Sequence, residues 1–164
     1  MRKIFVAISA LIILYVLCAE KLFVTAEVEG NEKVVTAVDA EKNLPLEINF
    51  IHSVQKTPVI EELEFDGEKF ILLRTKYKSH GVGLPFMESD GEFHKVGDWF
   101  IMDNMNRPIK NLSLRTGVGT NLTIKLDGKE IKLYEKFPAG TRIDFKISST
   151  LKNFFGRNFF LFSE

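Results

Sequence analysis

Cysteine is nearly absent: Cys18 is the only one in 164 residues, and it lies inside an apolar run near the N-terminus. The remainder of the chain therefore has no internal disulfide, thiol nucleophile or thiolate metal site. Histidine is scarce as well, with His52, His80 and His94 in separate segments, so a histidine metal site would need three distant stretches to converge. An excess of charge is missing too. The 22 Lys and Arg balance 22 Asp and Glu, which argues against the basic footprint of a nucleic-acid partner and against a disordered tail. No Gly-x-Ser-x-Gly elbow, His-Glu-x-x-His pair, dinucleotide fingerprint or P-loop occurs, so no motif implies a cofactor or a metal. What is abundant is phenylalanine, with 15 residues against three Tyr and one Trp. Phe fills a core without needing a polar partner, and the length suits a single domain.

The first segment reads as an address. Arg2 and Lys3 precede an uncharged, proline-free run from Ile4 to Ala19, the basic and apolar regions of an export signal. As a helix this run reaches about 24 Å, short of a hydrocarbon core of about 30 Å. Two fates stay open: cleavage after Ala19 or Ala26, or retention as an N-terminal anchor helix that uses Leu22 to Ala26 to complete a span. The organisation read from this is 1–26 as signal peptide or membrane anchor and 27–164 as one extracytoplasmic domain. Positive charge at the short N-terminal side keeps that end in the cytoplasm, so either fate places the body in the periplasm or on the outer face of the cytoplasmic membrane. Leu17 stands where lipid attachment at Cys18 would need a small residue. The body itself carries 19 positive and 21 negative side chains, too near neutrality for long-range attraction to nucleic acid.

From Lys33 onward the hydrophobic period is two. Leu46, Ile48 and Phe50, then Leu122, Ile124 and Leu126, then Ile143, Phe145 and Ile147 alternate with polar residues, as half-buried antiparallel strands do. Asp66-Gly67 and Asp127-Gly128 supply the backbone angles of two-residue hairpin turns. Strands are expected near 33–38, 45–53, 58–65, 68–78, 97–103, 109–115, 120–126, 129–135 and 142–149. The fold class is all-β: an antiparallel β-sandwich or partly open barrel of about nine strands. Leu151, Phe154, Phe155, Phe159 and Phe162 recur at helical spacing, so a short C-terminal helix is expected to close one end of the sheets or to lie on a membrane.

Polar residues interrupt the apolar pattern in one place above all. His52 falls on the face of Leu46, Ile48 and Phe50, and Glu61 on the face of Val59, Leu63 and Phe65. With 54–57 as the hairpin loop, Phe50 faces Glu61 and His52 becomes its diagonal neighbour. A two-residue turn at Asp66-Gly67 then brings Arg74 diagonal to Glu61. A buried carboxylate needs a partner, and this register offers an imidazole and a guanidinium. Such a cluster either pins strand register or lines a small cleft that binds a polar ligand or moves a proton. Pro58 cannot donate to a ladder, so its strand should start there at an edge or a bulge. Ser53 points away from His52 and forms no triad with it. In Ser79-His80-Gly81-Val82-Gly83-Leu84-Pro85 the glycines make either a tight turn or an anion-binding nest. Arg115 precedes a similar turn at Gly117 and Gly119.

These residues resemble a bacterial family, domain of unknown function 1850. The resemblance rests on His52-Ser53-Val54, on Thr57-Pro58-Val59 with Glu61, on Ser79-x-Gly81-x-Gly83-Leu84-Pro85, and on Leu114-Arg115-x-Gly117; it spans 33 to about 149. Gln55 and Val82 depart from the family's pattern. The resemblance implies a small extracytoplasmic protein often encoded beside tripartite ATP-independent periplasmic (TRAP) transporters, and it brings no known activity. The expected role is an accessory or binding module contacting the transporter's membrane subunits or solute receptor. His52, Glu61 and Arg74 would shape the recognition end beside the Gly81 and Gly83 loop. Two other readings stand beside it: a small hydrolase with Glu61 as general base and His52 as acid, and a structural envelope protein.

Overall fold

The computed structural model describes residues 22–30, 33–81 and 83–149, together with Ile8. The apolar run apart from Ile8, Cys18, the cleavage point after Ala19 and the Phe-rich stretch from Leu151 lie outside the described residues. Every strand pairing is antiparallel, and two sheets form without closing into a barrel.

Twelve strands are present among the described residues: β1 (Leu22–Val28), β2 (Val34–Asp39), β3 (Leu44–Ile51), β4 (Pro58–Phe65), β5 (Phe70–Tyr77), β6 (Glu92–Val96), β7 (Trp99–Asp103), β8 (Arg107–Ile109), β9 (Ser113–Arg115), β10 (Thr123–Leu126), β11 (Lys129–Lys132) and β12 (Arg142–Ser149). The small sheet runs β2-β1-β12-β9, and the large one β11-β10-β3-β4-β5-β7-β6, with β8 also on β5. One core joins them. Val24 and Ala26 of β1 and Ile143 of β12 pack with Leu46 and Ile48 of β3, Leu63 and Phe65 of β4, and Ile124 and Leu126 of β10. A second cluster of Val59, Tyr77 and Leu84, with Phe50 and Phe100 against it, fills the other end of the large sheet.

Five expectations change. The nine strands become twelve. β1 lies across the residues read as the end of the export segment, where Leu22 to Ala26 look like a continuation of the apolar run although Val24 and Ala26 face the core. β6 pairs along the whole of β7 with all its residues exposed, so it carried no hydrophobic alternation to announce it. The stretch 109–115 splits between two sheets as β8 and β9, and the end of 129–135 coils into a helical turn at Leu133–Lys136.

Turn chemistry explains the registers. Asp127 and Gly128, at φ 50° and 72°, make the two-residue hairpin that joins Leu126 to Lys129. The Asp66 turn instead uses four residues, because the Asp66 carboxylate accepts the amide N–H groups of Glu68 (2.8 Å) and Lys69 (2.9 Å). Phe65 therefore faces Phe70. A bulge then puts Glu62 opposite Arg74 but Leu63 opposite Leu72, leaving Leu73 unpaired and its carbonyl accepting from the Met105 N–H at 3.1 Å. Pro58 opens β4, which lies between β3 and β5 and is no edge. It is tolerated because it pairs with Ile51 while the β5 ladder begins one residue later, at Val59.

Candidate functional site

Three loops meet at one end of the large sheet. The first is the hairpin between β3 and β4, closed by the His52 N–H to the Thr57 carbonyl (2.9 Å) and the Lys56 N–H to the His52 carbonyl (2.9 Å). Lys56 takes the left-handed conformation that the four-residue loop demands, at φ 55°. His52 is buried, and its Nδ1 accepts the backbone N–H groups of Val54 (3.2 Å) and Gln55 (3.1 Å). That use of Nδ1 as acceptor puts the ring proton on Nε2. The imidazole thus organises the loop from within. Thr57 holds a buried hydroxyl with no hydrogen-bond partner in the structure, and Ser53 is exposed.

The second loop follows β5 and lies over the first. A side chain at Gly81 would come within 2.9 Å of the Gln55 Cγ and 3.2 Å of the His52 Cε1 and Nε2, so glycine is required there for close approach. The Ser79 hydroxyl lies 3.5 Å from the Gln55 Oε1. Leu84 buries itself against Val59 and Tyr77, its N–H donating to the Gly81 carbonyl, while the Tyr77 hydroxyl donates to the Pro85 carbonyl. Gly83 takes the left-handed conformation at φ 86°. Since the Leu84 amide is spent within the loop, this segment is a seated turn whose glycine at 81 makes room for the His52 ring.

The third loop leads from β9 into β10. Its Thr120 carbonyl accepts the Ile51 N–H at 2.6 Å, next to His52 in the chain. Thr120 folds back on Gly117, and buried Thr116 bonds the carbonyls of Pro138 and Thr141. Arg115 is tied to the Gly140 carbonyl at 2.7 Å, on the small sheet's side. Each loop carries exposed apolar side chains: Val54 at 69%, Phe86 and Met87 (just after Pro85) at 67% and 56%, and Val118 at 87%.

Glu61 and Arg74 do not join this cluster. The β3–β4 pairing sets Ile48 opposite Glu61, two residues off the expected register, because the loop is Ser53–Lys56 instead of 54–57. Four residues of extended β3 then separate the row of Glu61 from His52, about 13 Å. Glu61 does face inward, half-buried beside Thr75 and between the two apolar clusters. Burial raises its pKa, against a smaller opposing effect from the Arg107 guanidinium. Arg74 points to the opposite face: the lengthened Asp66 turn alone would set it opposite Glu61, and the one-residue bulge at Leu73 turns it over. It bonds Glu62 at 3.0 Å and Asp103, whose carboxylate also meets His94 Nε2 at 3.3 Å; Lys76 completes the ladder on Glu62. Pairing with Asp103, more than Glu62, raises the already high pKa of Arg74.

The three histidines stay apart. His52 is inside the hairpin, His80 packs its ring 4.3 Å from Phe100, and His94 is on the outer ladder. Among the described residues no group of three or more His, Cys, Asp or Glu is placed to hold a metal ion. Several contributors went unrecognised in the sequence. Gln55, Tyr77 and Thr120 hold the loops together, and only Gln55, inside the His52 motif, carried a local signal.

The fold and the loops define a two-sheet antiparallel β protein that gathers its short motifs at one end of the larger sheet. The family model described as a domain of unknown function, DUF1850, matches residues 46–133, just over half of the chain, and the chain belongs to that family. No curated protein and no solved structure matches it.

Proposed function

We propose that this chain is an extracytoplasmic accessory or binding protein whose recognition end is the three-loop cluster, acting on the membrane subunits or solute receptor of a TRAP-type transporter. In this reading the two sheets serve as a sandwich that holds the loops, and the N-terminal apolar segment exports the body and, if uncleaved, anchors it. The observation that carries the proposal is the convergence of the His52, Gly81 and Gly117 loops, with Val54, Phe86 and Val118 turned outward. Apolar groups on neighbouring loops above a hydrogen-bonded base fit a protein contact. The hydrolase reading loses support because the separation of Glu61 from His52 removes the acid–base pair on which it rested.

The test is purification of the intact protein from its native membrane in mild detergent, with mass spectrometry of what accompanies it. Wild type should bring transporter subunits or the receptor. The exposed-loop variants Val54→Asp, Phe86→Ser and Val118→Asp should fold normally and lose them. Absence of every transporter component from the wild-type preparation would reject the proposal. Retention by all three folded variants would move the contact elsewhere.

A further inference from the structure

The two sheets part at the end away from the recognition loops. Ile143, Phe145 and Ile147 share the inner face of β12, since Phe145 pairs with core Ala26 and Ile147 with core Val24. Burial nevertheless falls along this row: Ile143 is fully buried, Phe145 half-buried and Ile147 43% exposed. Opposite them the large sheet ends at the Asp66 turn, with Phe70 the first residue of β5. Residues 110–112 cross from β8 in the large sheet to β9 in the small one and close a flank, with Leu112 buried and its carbonyl accepting the Phe145 N–H at 2.9 Å. Between the layers lies a cleft of about 190 Å³. It is about 17 Å along β12 from Arg142, which pairs with Arg115 beside the third loop.

The floor of the cleft is apolar and its rim basic. Val24, Phe70, Leu112, Phe145 and Ile147 line the floor, with Phe70 meeting Phe145 edge-on at 5.8 Å between ring centres. Lys69, Lys110, Asn111 and Lys146 stand around it, together with Glu68. Lys69 is held by Asp66 at 3.4 Å and Glu68 at 3.6 Å, and Lys146 reaches Glu27 at 2.9 Å. Lys110 is exposed, and among the described residues no carboxylate pairs with it.

We infer that this cleft binds a small amphipathic carboxylate, with its apolar body on the Phe70 and Phe145 floor and its head on the Lys110 ammonium and the Asn111 amide. Size and charge select the class. An apolar cavity of about 150 Å³ holds benzene, so 190 Å³ suits a six-membered ring or a chain of similar bulk. One unpaired ammonium balances one negative charge. A phosphate monoester carries nearly twice that and would bring the surplus against Glu68, whereas a cationic head would be repelled by Lys110. The site is separate from the three-loop cluster and independent of any transporter.

The test is fluorine NMR of para-fluorobenzoate titrated into the full chain in lipid nanodiscs, with empty nanodiscs as the blank and para-fluorobenzylamine as a probe of the same body and opposite charge. The benzoate should bind saturably and the amine at least about ten-fold more weakly, as expected for a charge-assisted contact. Lys110→Glu, an exposed substitution, should weaken the benzoate by about ten-fold or more, and Ile147→Trp, which fills the cleft, should abolish its binding. Both variants are checked for native circular dichroism. Absence of saturable benzoate binding to wild type would overturn the proposal, as would equal binding of acid and amine, or unchanged affinity in folded Lys110→Glu. Because no transporter component is present, none of these results depends on the accessory role.

Discussion

Glu61 is a carboxylate on an otherwise apolar inner face. Its strand neighbours on the inner face, Val59 and Leu63, belong to different apolar clusters, and it sits at the seam between them. Burial raises its pKa above the ordinary 4.5, so the unfolded chain gives up this proton more readily than the folded one. Linkage then makes Glu61 neutral to stability below that value and increasingly unfavourable as pH rises through the folded pKa. Glu61→Gln is therefore expected to match wild type in urea unfolding near pH 4 and to exceed it progressively toward pH 8. A constant difference across that range would refute the burial argument. Asp144 contributes in the opposite sense. The Ser113 hydroxyl and the Arg142 guanidinium lower its pKa, giving stability present above the ordinary 3.8 and lost as pH falls through the lowered value.

At the scale of elements, β1 decides where the body begins. It pairs with β2 on one side and β12 on the other, and Val24 and Ala26 are in the main core. A chain starting at Glu27 lacks five of the seven residues of β1, exposing an edge of β12 and removing both core side chains. The expected loss exceeds about 5 kcal/mol, comparable with the whole stability of a small domain. A chain starting at Glu20 should give a cooperative thermal transition by circular dichroism, and one starting at Glu27 should give none. Under the proposed export, the mass of the mature protein should accordingly correspond to cleavage after Ala19 or to no cleavage.

For the whole molecule, order is concentrated in the middle of the large sheet. β3 and β4 are flanked by strands on both sides, and Leu46, Ile48 and Leu63 contribute to the shared core, whereas β6 is an exposed edge strand. Amide hydrogen exchange should be slowest in β3 and β4, with protection factors at least ~100-fold above those of β6. Uniform protection across the sheet would contradict the division into a central core and a weaker flank. No helix among the described residues is long and apolar enough to cross a membrane, so attachment by helix would depend on residues outside those described.

The sequence alone determined the all-β class, the inward faces of His52 and Glu61, the Asp127-Gly128 hairpin and the family, because alternation and turn chemistry act between neighbours along the chain. It also drew attention to the three loops. Register was beyond its reach. An Asx turn that lengthened one hairpin, a loop beginning at Ser53 instead of Val54 and one bulged residue at Leu73 sufficed to separate His52, Glu61 and Arg74, although each was read on a sound local pattern. β1 and β6 were hidden for a related reason: the first resembles the apolar run before it, and the second buries nothing. Only the tertiary structure could decide that Gly81 lies against His52, that Ile51 bonds Thr120, and that Leu22 ends beside Ser149. Those contacts join residues 29, 69 and 127 positions apart, and pairing over such distances is settled by how the sheets satisfy their backbone hydrogen bonds and share a core, not by any local preference.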